Sequence, residues 1–349
     1  MEKKVTIQDI ADELGLSRNT VSKAINNSEG LAENTKKRIL DKAVEMGYKQ
    51  FSYVMAMSEV NKNKKEAESR QKKKEIAVFK TFYYNPGTHF STLLMDKFQQ
   101  EISQLGFSLV TYVIQKEEIE NQILPPTFKS TETSAIVCIE IFDKAYADFV
   151  CSVGLPTLFL DGPSIGIRRS VNSDMLLMEN CKEISQFIHD KVSAGMKRFG
   201  FIGDPNHCQS FCERYIAFRM SLTLEEIELH PEFLILTKDQ DVHAMKEALM
   251  NLEEYPEVFI CANDFIAITA MMMLREKDKR LLKQIRFLGF DDSHESRIFT
   301  PALSSVHIHT QAMAFDAVNL LMNRMKYPDM EYKTVYVATD LILRDSTEF

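Results

Sequence analysis

Apolar residues recur at helical spacing near the start of the chain: Ile7, Ile10, Ala11 and Leu14 form one stripe, and Val21, Ala24 and Ile25 another. This period predicts two short amphipathic helices, each turning one face to a core. The ends carry matching signals. Thr6 stands before the first helix with Asp9 three residues on, the spacing of a capping box; Gly15 frees the backbone at the turn, and Ser17 is placed to cap the second helix. A third helix is expected over about 34–46, with Ile39, Leu40, Ala43 and Val44 apolar and Gly47 and Tyr48 closing it. Arg18, Asn19, Ser22 and Lys23 then face outward, a set of donors that suits a DNA major groove. A plain three-helix bundle with a polar surface would show the same periodicity.

Farther along, short apolar runs alternate with helical stretches. Strands are expected at 75–80, 108–114, 135–141, 157–160, 199–202, 233–236, 258–261 and 285–289, with helices near 91–105, 144–153, 176–194, 211–222, 242–252 and 265–276. Such alternation implies parallel sheets, and the length fits two doubly wound subdomains. Between the two patterns, from about 50 to 75, hydrophobic periodicity fades. Residues 61–74 are rich in lysine and read as a solvated boundary, either a tether or a source of sequence-independent DNA affinity.

At 349 residues the chain is too long for one ordinary core. Its net charge of -8 argues against nucleic acid until it is divided. Residues 1–75 hold 16 Lys and Arg against 12 Asp and Glu, and the remainder 26 against 38, so a basic end joins an acidic body. Within 1–50 the balance is only +1. The six cysteines show no framework spacing, which fits a reducing compartment. His207, Cys208 and Cys212 cluster, but no second ligand pair stands at zinc-site spacing, so no metal is expected. The polar first residues lack an apolar h-region, and no apolar run approaches a membrane span. A cytoplasmic protein without a membrane partner is expected.

Ligands of doubly wound sheets bind beyond the carboxyl ends of the strands. There the sequence places Asp161, Asn263 with Asp264, Asp291 with Asp292, and Arg214 on a helix that follows Gly203 and Asp204. Carboxylates accept from hydroxyls and a guanidinium donates in a planar fork, so together these groups suit a small hydroxylated molecule. Singly, each is equally at home as a helix cap or loop residue. There is no Gly-rich phosphate loop, nucleophile elbow or His-Glu-x-x-His, so neither an enzyme nor a cofactor is expected.

Residues 6–48 resemble the headpiece of the LacI/GalR (lactose and galactose repressor) family. The body resembles its periplasmic-binding-protein-like core through Gly200-Phe201-Ile202-Gly203, Cys261-Ala262-Asn263-Asp264, Gly289-Phe290-Asp291-Asp292 and the closing Arg344-Asp345-Ser346-Thr347. The resemblance implies a homodimeric transcription regulator, a repressor, that reads a pseudo-palindromic double-stranded operator and responds to a small-molecule effector, a sugar or related metabolite, bound between two core subdomains. It implies a helix-turn-helix domain at 1–50, a hinge and basic linker at 51–75, and a core at 76–349, whose N-subdomain takes 76–172 with 307–328 and whose C-subdomain takes 173–306 with 329–349. Carried across by position, Arg18, Asn19 and Lys23 fall where bases are read, and Thr6, Ser17, Thr20, Ser22 and Asn26 where caps and phosphate contacts lie. Asp161, Arg214, Asn263 and Asp291 match effector contacts, with His89 and Phe90, in the loop after the first core strand, as further candidates.

The chain also departs from that pattern. The family's hinge helix, whose leucine wedges into the minor groove, is replaced by Val54-Met55-Ala56-Met57, where Met57 is the candidate apolar wedge. Lys23 replaces an arginine, turning a rigid fork into a point charge. Ile308 stands where a glutamine is common, and no tryptophan exists to stack on a sugar ring. The divergent hinge and near-neutral headpiece keep a second reading open: a solute sensor with weakened or non-specific DNA binding.

Overall fold

A computed structural model describes the chain apart from residues 1–4, 26–30, 47, 49–74, 82–88, 165–170, 239–240 and 349. It divides into two units, Met1–Lys72 and Lys73–Phe349.

The first unit contains helices Ile7–Leu14, Arg18–Ile25 and Glu33–Glu45. The capping box forms as the sequence predicts: the Asp9 amide donates to the Thr6 hydroxyl at 3.3 Å, and the Thr6 amide donates to the Asp9 carboxylate at 2.8 Å. Gly15 ends the first helix at φ 64°, a left-handed conformation that glycine adopts without steric cost. The Ser17 hydroxyl accepts from the Thr20 amide at 3.1 Å and so caps the second helix. Ile10, Ala11, Val21, Ala24, Ile25, Ile39, Ala43 and Tyr48 form one buried cluster. Each large aliphatic side chain in it contributes about 1.5–3 kcal/mol.

The second unit holds two six-stranded sheets. The strands of the first are β1 Glu75–Thr81, β2 Ser108–Ile114, β3 Thr133–Ile139, β4 Thr157–Leu160, β5 Asp174–Met178 and β11 Thr334–Val337. Their order is β11-β5-β4-β3-β1-β2, parallel throughout. The second comprises β6 Phe199–Ile202, β7 Leu234–Ile235, β8 Val258–Cys261, β9 Arg286–Asp291, β10 Ser304–Ile308 and β12 Thr339–Ile342, in the order β12-β10-β9-β8-β6-β7. In it only the β10–β12 pair is antiparallel. β3 and β4 are buried at every position, as strands covered on both faces must be. No helix among the described residues is long and apolar enough to cross a membrane.

Three boundaries differ from the sequence expectation. Asp174–Met178, expected to open the C-subdomain and, from Leu176, a helix, is strand β5 of the first sheet, paired with β4 and β11. Met and Leu favour helices, but burial at all five positions inside a parallel sheet overrides that preference. Likewise β11, expected in the C-subdomain, extends the first sheet. Conversely, His307 and Ile308, expected in the N-subdomain, belong to β10 of the second. The chain therefore passes between the sheets after Met178, after Ile308 and after Val337. One buried ion pair fixes the first sheet: Arg324 donates to Asp174 at 2.8 and 2.9 Å, and it also donates to the carbonyls of Pro328 and Glu331.

Candidate functional site

In the first unit, burial of Val21, Ala24 and Ile25 at 0, 1 and 4% exposure turns Arg18, Asn19 and Lys23 outward. Thr6 and Ser17 are exposed, and Thr20 and Ser22 are half-buried. The Ser17 and Thr20 hydroxyls also bond to each other at 2.7 Å. Capping therefore already engages Thr6, Ser17 and Thr20. Asn26 and Met57 lie outside the described residues.

In the second unit, the loops at the carboxyl ends of both sheets face one another. From the first sheet, Asp161 follows β4 at φ 59°. Its carboxylate accepts from the Gly162 amide at 2.8 Å, from the Ser210 amide at 3.3 Å and from the Ser210 hydroxyl at 2.7 Å. Ser210 opens helix Gln209–Leu224, so Asp161 ties one sheet to a helix of the other. The Gln209 amide donates to the Gly162 carbonyl at 2.9 Å, and the His207 ring packs edge-on to Phe142.

One turn beyond Ser210, Arg214 is 2% exposed. Its Nε donates to Asn180 Oδ1 at 3.0 Å, a terminal nitrogen donates to the Ala262 carbonyl at 2.7 Å, and the guanidinium lies 3.4 Å from the centre of the Phe290 ring. Asp291, at 4.0 Å, supplies the opposite charge. Burial pulls the arginine below its ordinary pKa, and Asp291 opposes that change. Asp291 is itself pushed up to about 7: burial dominates, Arg214 opposes it, and Asp264 and Asp161 add repulsion. Asp264 is pushed up to about 6, again chiefly by burial. It is held by the Ser305 hydroxyl at 2.6 Å and the Ser293 amide at 2.7 Å. Gly289 makes room for it, since a Cβ there would stand 2.1 Å from Asp264 Oδ1.

Asp161, Arg214 and Asp291 thus converge. Asn263 does not join them through its carbonyl oxygen, which accepts from the Ile266 amide at 2.9 Å and caps helix Asp264–Lys277. His89 and Phe90, expected in a loop, instead open helix His89–Gln104; their side chains lie outside what is described. That helix thus begins two residues before the expected position 91. Cys208 is buried and His207 packs between rings, and no group of three or more metal-binding side chains gathers among the described residues.

Residues 6–50 match the family described as bacterial regulatory proteins, lacI family, and residues 190–347 match a periplasmic binding protein-like domain. The chain thus joins a lacI-family domain to a periplasmic binding protein-like one. Among curated relatives, the transcriptional repressor PurR of Mannheimia succiniciproducens is 25% identical, with 98% of each chain covered, and the transcriptional regulator GalR of Lacticaseibacillus casei is 24% identical, covering 98% of this chain and 99% of its own. Among solved structures, the regulator CelR in complex with cellobiose superposes with a TM-score of 0.67 at 19% identity, covering 98% of this chain and all of its own. The lac repressor dimer bound to operator and anti-inducer does so with a TM-score of 0.65 at 18% identity, covering 99% of each. The chain is a DNA-binding transcription regulator of the LacI type, with a helix-turn-helix domain and a core of two α/β subdomains.

In this periplasmic binding protein-like core, sequence reasoning missed the groups that orient the cluster. Asn180 holds Arg214 and also donates to Glu213 at 2.8 Å. Phe290 forms the floor beneath the guanidinium. Ser210, four residues before Arg214, shares its helix face, so the 3.6 period offered a signal for it. Asn180 and Phe290 had none beyond adjacency to a strand end. The closing Arg344-Asp345-Ser346-Thr347 serves as a fastening: Arg344 pairs with Asp292, and Ser346 donates to the Phe287 carbonyl at 2.7 Å.

Proposed function

We propose that this LacI-family regulator acts as a dimeric repressor in the cytoplasm. Arg18, Asn19 and Lys23 read base edges of a pseudo-palindromic operator, while Thr6, Ser17, Thr20, Ser22 and Asn26 cap helices and steady phosphates. Met57 supplies a wedge from the hinge and basic linker at 51–75. A small hydroxylated effector binds between the core subdomains on Asp161, Arg214 and Asp291, with Asn263, His89 and Phe90 around it, and no reaction is catalysed. The repressor relatives, the cellobiose complex of CelR and the operator-bound dimer of the lac repressor support this reading.

The observation that carries it is the exposed row Arg18, Asn19 and Lys23 over a fully packed core on a helix short enough to enter a major groove. The test is selection from a random double-stranded DNA pool with the full-length protein at near-physiological salt. A two-fold symmetric motif is expected. Binding without a motif that vanishes as salt rises would refute sequence-specific repression and favour the solute-sensor reading.

A further inference from the structure

The hydrogen bonds that hold Arg214 do not end at Asn180. The Asn180 side chain is 1% exposed, and its Nδ2 donates both to the Met178 carbonyl at 2.9 Å and to Glu213 Oε2 at 2.8 Å. Turned over, the amide would set its oxygen against those two acceptors. Its orientation is therefore fixed, and Oδ1 is left to accept from the Arg214 Nε at 3.0 Å. Glu213 in turn accepts on Oε1 from Gln209, one turn earlier on the same helix, at 2.9 Å, and from the Tyr336 hydroxyl at 2.8 Å. Burial, and next the bond to Glu213, hold the Tyr336 phenol above its ordinary pKa, so it stays a donor at neutral pH.

This relay crosses from one sheet to the other. Tyr336 stands on β11, the edge strand of the first sheet, beside Leu177 of β5, whereas Glu213 and Arg214 ride helix Gln209–Leu224, which packs on the second through Phe218 and Phe201. Both ends of the relay adjoin places where the chain changes sheet, Asn180 just past Met178 and Tyr336 just before Val337. Those two crossovers are stitched to each other: the Glu179 amide donates to the Val337 carbonyl at 2.8 Å, and the Thr339 hydroxyl to the Glu179 carbonyl at 3.1 Å. The bond between Tyr336 and Glu213 is of another kind, because it joins side chains carried by different sheets. A shift of about 1 Å would take it out of hydrogen-bonding range. With one donor fewer, Glu213 holds Asn180 less firmly. Arg214 feels this directly. One of its terminal nitrogens donates to the Ala262 carbonyl at 2.7 Å, and the other has no acceptor among the described residues. Because the guanidinium is planar and rigid, the bond at Nε sets where that open nitrogen points.

We propose that Asn180, Glu213 and Tyr336 are positioning residues for the effector, and that the bond from Tyr336 to Glu213 makes the aim of Arg214 depend on how the first sheet stands against the second. By linkage, a ligand that engages Arg214 favours the arrangement in which this bond is made. The part that concerns the effector rests on the cleft being its site.

The experiment is heteronuclear magnetic resonance of the isotope-labelled full-length protein, following the Nε proton of Arg214, whose signal is the one lost in Arg214→Lys. Buried and bonded, this proton is expected to exchange slowly with solvent. Tyr336→Phe removes an oxygen that Arg214 does not touch, and should speed that exchange at least about threefold. Glu213→Gln should speed it further, because an amide presents a donor where an acceptor is needed. Tyr332→Phe, a neighbouring hydroxyl outside the relay, should leave it unchanged. A packing role alone would lower the unfolding temperature of Tyr336→Phe without moving the Arg214 signal; that result overturns the proposal, as does an equal response to Tyr332→Phe. If Glu213→Gln fails to fold, Tyr336→Phe, made at a side chain 50% exposed, decides alone. Calorimetric titration with cellobiose, glucose, galactose and ribose tests the ligand side. Any of these that binds should bind Tyr336→Phe at least about threefold more weakly, and equal affinity overturns the coupling. A sugar bound equally well by Arg214→Lys, with the resonance responding as expected, would leave the relay standing while the cleft reading falls. If none of the four binds, the resonance decides.

Discussion

Replacing Asp264 by asparagine should change how the stability of the core depends on pH. The side chain is 1% exposed and takes two good hydrogen bonds, yet burial pushes its carboxyl up to about 6, against about 3.9 in an unfolded chain. The folded state therefore holds the proton more tightly. Its contribution is whole below about pH 4 and is lost as pH rises through about 6. A carboxyl raised this far contributes about 3 kcal/mol when fully protonated, of which about 2 kcal/mol disappears between about pH 4.5 and about pH 7.5. Asparagine keeps the shape: its oxygen can accept from the Ser293 amide, and the Ser305 hydroxyl can turn to accept from its amide group. It does not titrate.

Relative to wild type, D264N should thus gain about 2 kcal/mol on going from about pH 4.5 to about pH 7.5, whatever its absolute stability. The absence of tryptophan rules out its fluorescence as a probe, so urea unfolding would be followed by far-ultraviolet circular dichroism at constant ionic strength. At slopes of about 1–3 kcal/mol/M, the difference between the two midpoints should move by roughly 1 M. Taking the difference between proteins removes Glu140, which is common to both, whereas Asp291, relieved of repulsion from Asp264, holds its proton less tightly in the variant and adds to the gain in the same sense. A difference constant to within about 0.5 kcal/mol across this range would refute the argument that burial outweighs the hydrogen bonds at Asp264.

Alanine at Arg18, Asn19 and Lys23 together should erase preference for the selected operator over random DNA in a competition assay, each good bidentate contact being worth about 1–3 kcal/mol, while helicity is retained. Thr6→Ala should lower the stability of the first unit by about 1 kcal/mol in thermal unfolding, through loss of the cap on Ile7–Leu14. Arg324→Met should cost the core about 3–5 kcal/mol in urea, because Asp174 at 3% exposure loses its counter-charge; a change under about 1 kcal/mol would show that the pair is dispensable.

The first two helices of the headpiece were legible in detail because their signals are local. The Thr6 and Asp9 cap, the Gly15 turn and the Ser17 cap each act within four residues, and the structure forms all three. The site in the core was legible in part. Asp161 and Asp291 stand out by their places after strands and Arg214 by its place on the helix that follows Gly203 and Asp204, and the three side chains converge. Asn263 illustrates the limit: the same position suits a cap, and a cap is what its oxygen makes.

The sheet boundaries were not legible, for a physical reason that Asp174 and Arg324 make concrete. Asp174-Met175-Leu176-Leu177-Met178 has no two-residue alternation because both of its faces are buried, so its local pattern cannot distinguish strand from helix. What decides it lies 150 positions away, where Arg324 satisfies the buried carboxylate, and farther on, where β11 pairs along its edge. Asp174 in an apolar run was itself the clue, since an unpaired carboxylate in a core costs several kcal/mol and so demands a partner. The sequence shows that demand but not which residue meets it. The same separation governs Asp292: Arg297, His307 and Arg344 lie apart in sequence, and only the fold brings all three to one buried carboxylate.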